Sequence, residues 1–178
     1  GQTAPGAGIC LRDRTLVVAA DDVVIRFLRC RLGDQGKGDA ISIDQGQRII
    51  LDHCSASWSI DEVLSSSTAE PTLSDVTVQW CFITEALNPE NHSFGSLIRG
   101  CYGAKYSYHH NLYAHNRNRN PRPGNYNENP HDADPQGLLL DFRNNVIYNW
   151  NGQYAGYNAD EVSVTKLNYV GNYLIPGP

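Results

Sequence analysis

Apolar and polar residues alternate along this chain in short runs, and six of those runs end on a cysteine or an asparagine. They are Ile25–Cys30, Ile49–Cys54, Val76–Cys81, Tyr106–Asn111, Leu140–Asn145 and Leu167–Asn172. Aligned on that last residue, the position five before it is always Ile, Val, Tyr or Leu. Three before, the column reads Phe27, Leu51, Val78, Tyr108, Phe142, Tyr169; two after, it reads Leu32, Ala56, Ile83, Tyr113, Ile147, Leu174. A column that stays apolar in every copy faces a core. The intervals run from 24 residues (Cys30 to Cys54) to 34 (Asn111 to Asn145), the period range of solenoids.

A single strand with one apolar face cannot bury it alone, whereas stacked copies bury it against each other. No long stretch places apolar residues at the 3.6-residue period of a helix, and the turns between runs are rich in Gly, Asn, Asp and Pro. The pattern therefore predicts an all-β chain, a right-handed parallel β-helix. An antiparallel sandwich also shows short alternating strands, but it does not repeat one end-of-strand residue. In a β-helix, equivalent residues of successive coils lie about 4.8 Å apart. Cys30, Cys54 and Cys81 then form one internal stack continued by Asn111, Asn145 and Asn172. The asparagines can bond to one another and to turn backbone, which makes a polar column tolerable inside.

Composition narrows the rest. A chain of 178 residues suits one domain, here residues 1–178, and no apolar run is long enough to span a membrane. The net charge of −5 argues against nucleic acid as a partner, so an acidic polymer would have to be met by a local cluster of Arg, Lys or metal. Five cysteines, three of them in the core column, read as buried thiols, with a disulfide between neighbouring coils left open. The sequence does not open on Met, none of its opening residues reads as a signal peptide, and repeat-like sequence runs out to both ends. It is expected to be a monomeric segment of a longer β-helix, truncated at both termini.

Two stretches carry most of the chemistry-bearing residues: Asp39 to Ser55, and His109 to Arg122. Asp39-Ala40-Ile41, Leu51-Asp52-His53-Cys54-Ser55, Trp58-Ser59-Ile60-Asp61-Glu62, Val76 to Cys81, His109-His110-Asn111-Leu112 and Arg119-x-Pro121-Arg122 follow one another in a fixed order. In these pieces, and over nearly its whole length, the chain resembles the pectate lyases, the parallel β-helix enzymes of polysaccharide lyase family 1.

The resemblance implies β-elimination on a uronic-acid polymer of the plant cell wall such as pectate, secreted into the extracellular space or periplasm. A base removes the proton on C5 and the glycosidic oxygen on C4 leaves. The carboxylate beside C5 opposes that step, and a calcium ion on it would stabilise the developing charge. By the resemblance, Asp39 and Asp61 are calcium ligands, Arg119 is the base, and Arg122 binds substrate or braces its loop. Lys37, His92 and His109 complete the substrate-binding set. Arg119 needs an account, because free arginine is effectively always protonated. Either its surroundings lower its pKa, or it polarises the substrate carboxylate through a bidentate contact.

The residues also admit plainer readings. An Asp before a strand is an ordinary turn residue. Counting back two from Ile41 and from Val63 places Asp39 and Asp61 at the same point of successive coils, where two like charges repel unless a cation bridges them. Glu62, next to Asp61, is expected to point the other way. His53 and His110 read as structural, and adjacent strand residues such as His109 and His110 are expected to point apart. The chain also departs from the family: Lys37 and Ser65 stand where further acids are common, Gly124 where another Arg is common, and no Lys precedes Arg119 on its neighbouring coil. A non-catalytic polysaccharide-binding β-helix and a polygalacturonase-type hydrolase are the alternatives.

Overall fold

The computed structural model describes residues 1, 3–68, 71–125, 133–158, 160 and 162–178. Its strands pair in parallel throughout and form three sheets around one core. The first sheet holds Ile9–Arg12, Leu28–Arg31, Ser55–Ser57, Phe82–Thr84, Leu112–Ala114, Val146–Tyr148 and Tyr173–Ile175. The second holds Leu16–Ala19, Ile41–Gln45, Leu64–Ser67, Leu97–Arg99 and Arg122–Gly124. The third holds Val23–Arg26, Gln47–Asp52, Ser74–Gln79, Ala104–His109, Leu138–Arg143 and Thr165–Val170. The chain visits the three sheets in that order, coil after coil, which is the parallel β-helix that the repeat predicts. No helix among the described residues is long and apolar enough to cross a membrane.

The inward columns are the alternating positions of the repeat. Ile49 stacks on Val76, Tyr106 and Leu140, and Leu51 on Val78, Tyr108 and Phe142, all at most 2% exposed. Burying each such side chain stabilises the coil by roughly 1.5–3 kcal/mol. The last coil has a neighbour on one side only, and Leu167, Tyr169 and Leu174 there are 42–43% exposed.

Each passage from the third sheet to the first turns on a single residue with positive φ: Phe27, His53, Trp80, His110, Asn144 and Gly171. The left-handed region is costly for side-chain-bearing residues, and in the later coils the next residue offsets that cost by binding the corner of the coil before it. Asn111 Oδ1 accepts from Cys81 N at 2.9 Å, Asn145 Oδ1 from Asn111 N at 2.9 Å, and Asn172 Oδ1 from Asn145 N at 3.0 Å. Their amide groups donate in turn to Val78, Tyr108 and Phe142 carbonyls. Cys81 does the same work with sulfur, accepting from Cys54 N at 3.4 Å. Cys30, Cys54, Cys81 and Cys101 are buried free thiols, and Cys10 is an exposed one.

One part of the repeat is displaced. Arg29 pairs with Ser55 and Cys30 with Ala56, so Leu28, not Cys30, shares the column of Cys54, and the first copy runs from Val23 to Leu28. Cys30 belongs instead to the column of Ala56, Ile83, Tyr113, Ile147 and Leu174. A two-residue slip leaves every side chain on the same face, so the apolar pattern cannot detect it.

The ladder gives a stability prediction. Asn145 is 1% exposed, and Asn145→Ala strands both the Asn111 N–H and the Tyr108 carbonyl in the core. Each orphaned group costs about 1–3 kcal/mol, so a loss of roughly 2–6 kcal/mol is expected in denaturant unfolding. A loss below about 1 kcal/mol, the value of one ordinary hydrogen bond, would show that the ladder is incidental.

Candidate functional site

Passages from the first sheet to the second are longer than the corners, and four of them lie side by side: 32–40, 58–63, 85–96 and 115–121. They carry, in order, Asp39, Asp61 with Glu62, His92 with Phe94, and Arg119. Backbone bonds align them: Glu62 bridges Phe94, Phe94 bridges Asn118, and Gly95 N and Ser96 N donate to the Asn118 and Arg119 carbonyls at 3.0 and 2.7 Å. Gly95 fits because a Cβ there would collide with Asn120 Oδ1.

Asp39 and Asp61 come together, but not at equivalent positions. Ile41 pairs with Leu64, which puts Glu62 opposite Asp39, and Glu62 N donates to Asp39 Oδ1 at 3.2 Å. Glu62 also does not point away from Asp61. One oxygen from each of Asp39, Asp61 and Glu62 lies within 4.8 Å of the others. Sequence counting missed Glu62 because Ala40-Ile41 and Val63-Leu64 are doublets buried at both positions. An apolar doublet permits a one-residue slip that strict alternation would forbid.

Burial, chiefly, raises the Asp39 carboxyl to about 6, aided by the Asp61 charge. Burial likewise pushes Glu62 up to about 8, with Asp39 adding to it and Arg119 opposing. Asp61 Oδ1 is buried without a hydrogen bond, though His92 Nε2 stands 3.0 Å away. Three crowded carboxylates with an orphaned oxygen fit a hard cation. Calcium–oxygen distances of about 2.3–2.6 Å let oxygens within 4.8 Å of one another share one ion.

Arg119 is two coils on from Glu62 and reaches back to form an ion pair between Nη1 and Glu62 Oε1. Its positive φ of 56° turns the side chain out of the strand direction. The guanidinium lies over Phe94, 3.7 Å from the ring centroid, and Nε is buried without a partner. Burial favours the neutral guanidine, but Glu62 and the Tyr157 hydroxyl outweigh it, so the pKa is raised. Ligand-free Arg119 is therefore held charged, the opposite of what a base requires.

The other expected residues are placed as follows. His92 joins the cluster through Asp61 and packs edge-on against Phe94 at 4.3 Å. Arg122 faces Asp160 at 3.4 Å and lies over Tyr157 at 5.7 Å. Lys37 is exposed and lines a separate depression with Asp13, Arg14, Thr15 and Gln35, and no contact with the carboxylates is found among the described residues. His109 sits at the opposite corner, between the third and first sheets, in register with Gln79 and Arg143. Its Nδ1 is 2.9 Å from that of His110, so the two imidazoles meet instead of pointing apart, because His110 takes the left-handed turn. A depression of about 790 Å³ over Thr77, Ser107, Asp141 and Asn168 of the third sheet is also away from the cluster.

No family model matches the chain. Over its whole length the chain is 40% identical, in 182 aligned residues, to a protein of Aspergillus terreus named Probable pectate lyase C. Proteins of that name from Aspergillus fumigatus and Emericella nidulans are 38% and 40% identical, again along the entire chain. The chain spans 37–38% of the length of these curated relatives.

Proposed function

From a resemblance to pectate lyases that runs the length of this chain, we propose that it carries the cleft of a polysaccharide lyase acting by β-elimination on pectate or a related uronic-acid polymer. The observation that carries this reading is the placement of Arg119 against a three-carboxylate cluster on adjacent coils. The polymer belongs to the plant cell wall, which makes an extracellular location the matching expectation.

Asp39, Asp61 and Glu62 would hold calcium, which when bound supplies Lewis-acid stabilisation of charge on the substrate carboxylate. Glu62 has two competing partners in this arrangement, Arg119 and the other carboxylates' cation. With Glu62 turned to a cation, one charge that keeps the guanidinium protonated would be gone, leaving burial opposed by the Tyr157 hydroxyl alone. Arg119, its own proton first passed to water, takes the C5 proton on a guanidine nitrogen. The C5 electron pair forms the C4–C5 double bond, and the C4–oxygen bond breaks, its oxygen leaving with the bonding pair and taking a proton from water. Phe94 keeps the guanidinium plane fixed through these changes, and Arg122 holds the loop that presents it.

The product separates the readings. A lyase yields an unsaturated, ultraviolet-absorbing end, a hydrolase yields reducing ends without that absorbance, and a binder retains polymer without cleaving it. The expected result is absorbance that grows with polygalacturonate and calcium and stops on adding chelator. Reducing ends without absorbance, from folded protein, would sink the lyase reading.

A further inference from the structure

Gly124 stands where the resemblance leads one to expect an arginine, and a Cβ there would displace the Asp160 carboxylate from its present place. The guanidinium missing from this position is supplied from the neighbouring coil. Leu97–Arg99 pairs with Arg122–Gly124 so that Arg99 lies opposite Gly124 and Leu97 opposite Arg122. Arg99 Nη2 is 3.5 Å and Arg122 Nη2 3.4 Å from the same Asp160 oxygen. Asp160 is held between them at 1% side-chain exposure, also accepting from Asn125 N at 3.0 Å.

Two features of this group are unexplained by bracing alone. Among the described residues, two guanidinium groups share the one Asp160 carboxylate. Both side chains are 17% exposed, and the Nε of each is buried without a partner. A desolvated donor with no acceptor is costly, and a guanidinium, with its planar fork of N–H donors, is the group best shaped for a carboxylate. Resting on the polyuronate reading above, we propose that Arg99 and Arg122 together bind one carboxylate of the polymer, and that Arg99 is a specificity-determining residue for unesterified uronate. A methyl ester has neither the charge nor the second equivalent oxygen, so it gains little from this pair.

The test uses the intact protein with Arg99→Ala and Arg99→Lys. Calorimetric titration with saturated oligogalacturonate reads binding without cleavage; kinetics on demethylated and highly methyl-esterified polymer read discrimination. Arg99→Ala is expected to weaken binding and raise KM on demethylated polymer about tenfold, or about 1.4 kcal/mol. On that polymer kcat should change little, esterified polymer should be unaffected, and Arg99→Lys should recover part of the loss. Binding and KM within twofold of wild type, with only a lower melting temperature, would overturn the inference and leave Arg99 as a brace. Wild type that binds oligogalacturonate through Arg99 yet forms no unsaturated product would uphold the inference and refute the lyase reading. Wild type that binds no oligogalacturonate would overturn it.

Discussion

Arg119→Ala and Arg119→Lys should each lower turnover of polygalacturonate by roughly 10²–10⁴-fold, the contribution of a positioned proton acceptor. The loss should sit in kcat, because an interaction made only in the transition state leaves ground-state binding nearly unchanged. Lysine decides between the two roles open to this arginine. It keeps the positive charge but lacks the flat group that lies 3.7 Å over Phe94 and reaches Glu62. If Arg119 acted only as a counter-charge, the lysine variant would keep most of the activity, and that outcome would refute its role as base.

The alanine variant needs a stability control. Glu62 is 5% exposed and would be left beside Asp39 and Asp61 with no counterion. Removing one partner of a buried pair costs about 3–5 kcal/mol where the other must stay charged, and less here, because Glu62, raised to about 8, can take up a proton. Arg119→Ala combined with Glu62→Gln removes the orphaned charge as well, so the double variant should melt closer to wild type and stay inactive. Activity that returned along with stability would mean that the single variant failed by unfolding, not by losing a catalytic group.

What could be read from the sequence follows from which physical signals are periodic. The β-helix was legible because alternation recurs in every coil, as Leu51, Val78, Tyr108 and Phe142 show by lying in one column at no more than 2% exposure. Register was legible only where something other than apolarity marked it. The asparagine corners marked it from Asn111 onward. In the first coil no such mark exists, and Cys30 was mistaken for Leu28 at no cost to the inside–outside pattern. Arg119 and the two aspartates were legible through motif order. Glu62 hid behind an apolar doublet, and the Arg99–Asp160 pairing hid because residues 99, 122 and 160 share no local pattern. Lys37 was reached from its place two residues before Asp39, and His109 from an outward-facing strand position, yet the coil separates both from the carboxylates.

Calcium should raise the melting temperature of the protein, and by more at pH 8 than at pH 5. The sign follows from the raised carboxyls. Asp39, at about 6, and Glu62, at about 8, bind protons in the folded state that they release in the unfolded chain. Their contribution to stability is present below the ordinary carboxylate range near 4 and is lost as pH rises to about 8. A cation bound at the cluster replaces those protons, so its stabilisation grows over the same window, and its binding releases protons to buffer. Glu62→Gln removes one charged ligand and should weaken calcium binding on the order of tenfold or more, the scale on which ligand charge tunes such sites. It should also flatten the pH dependence toward the Asp39 window. Both readouts are independent of catalysis. A calcium effect on melting that is equal at pH 5 and pH 8, or unchanged in Glu62→Gln, would place the cation elsewhere and leave Glu62 with Arg119 as its sole partner in the cleft.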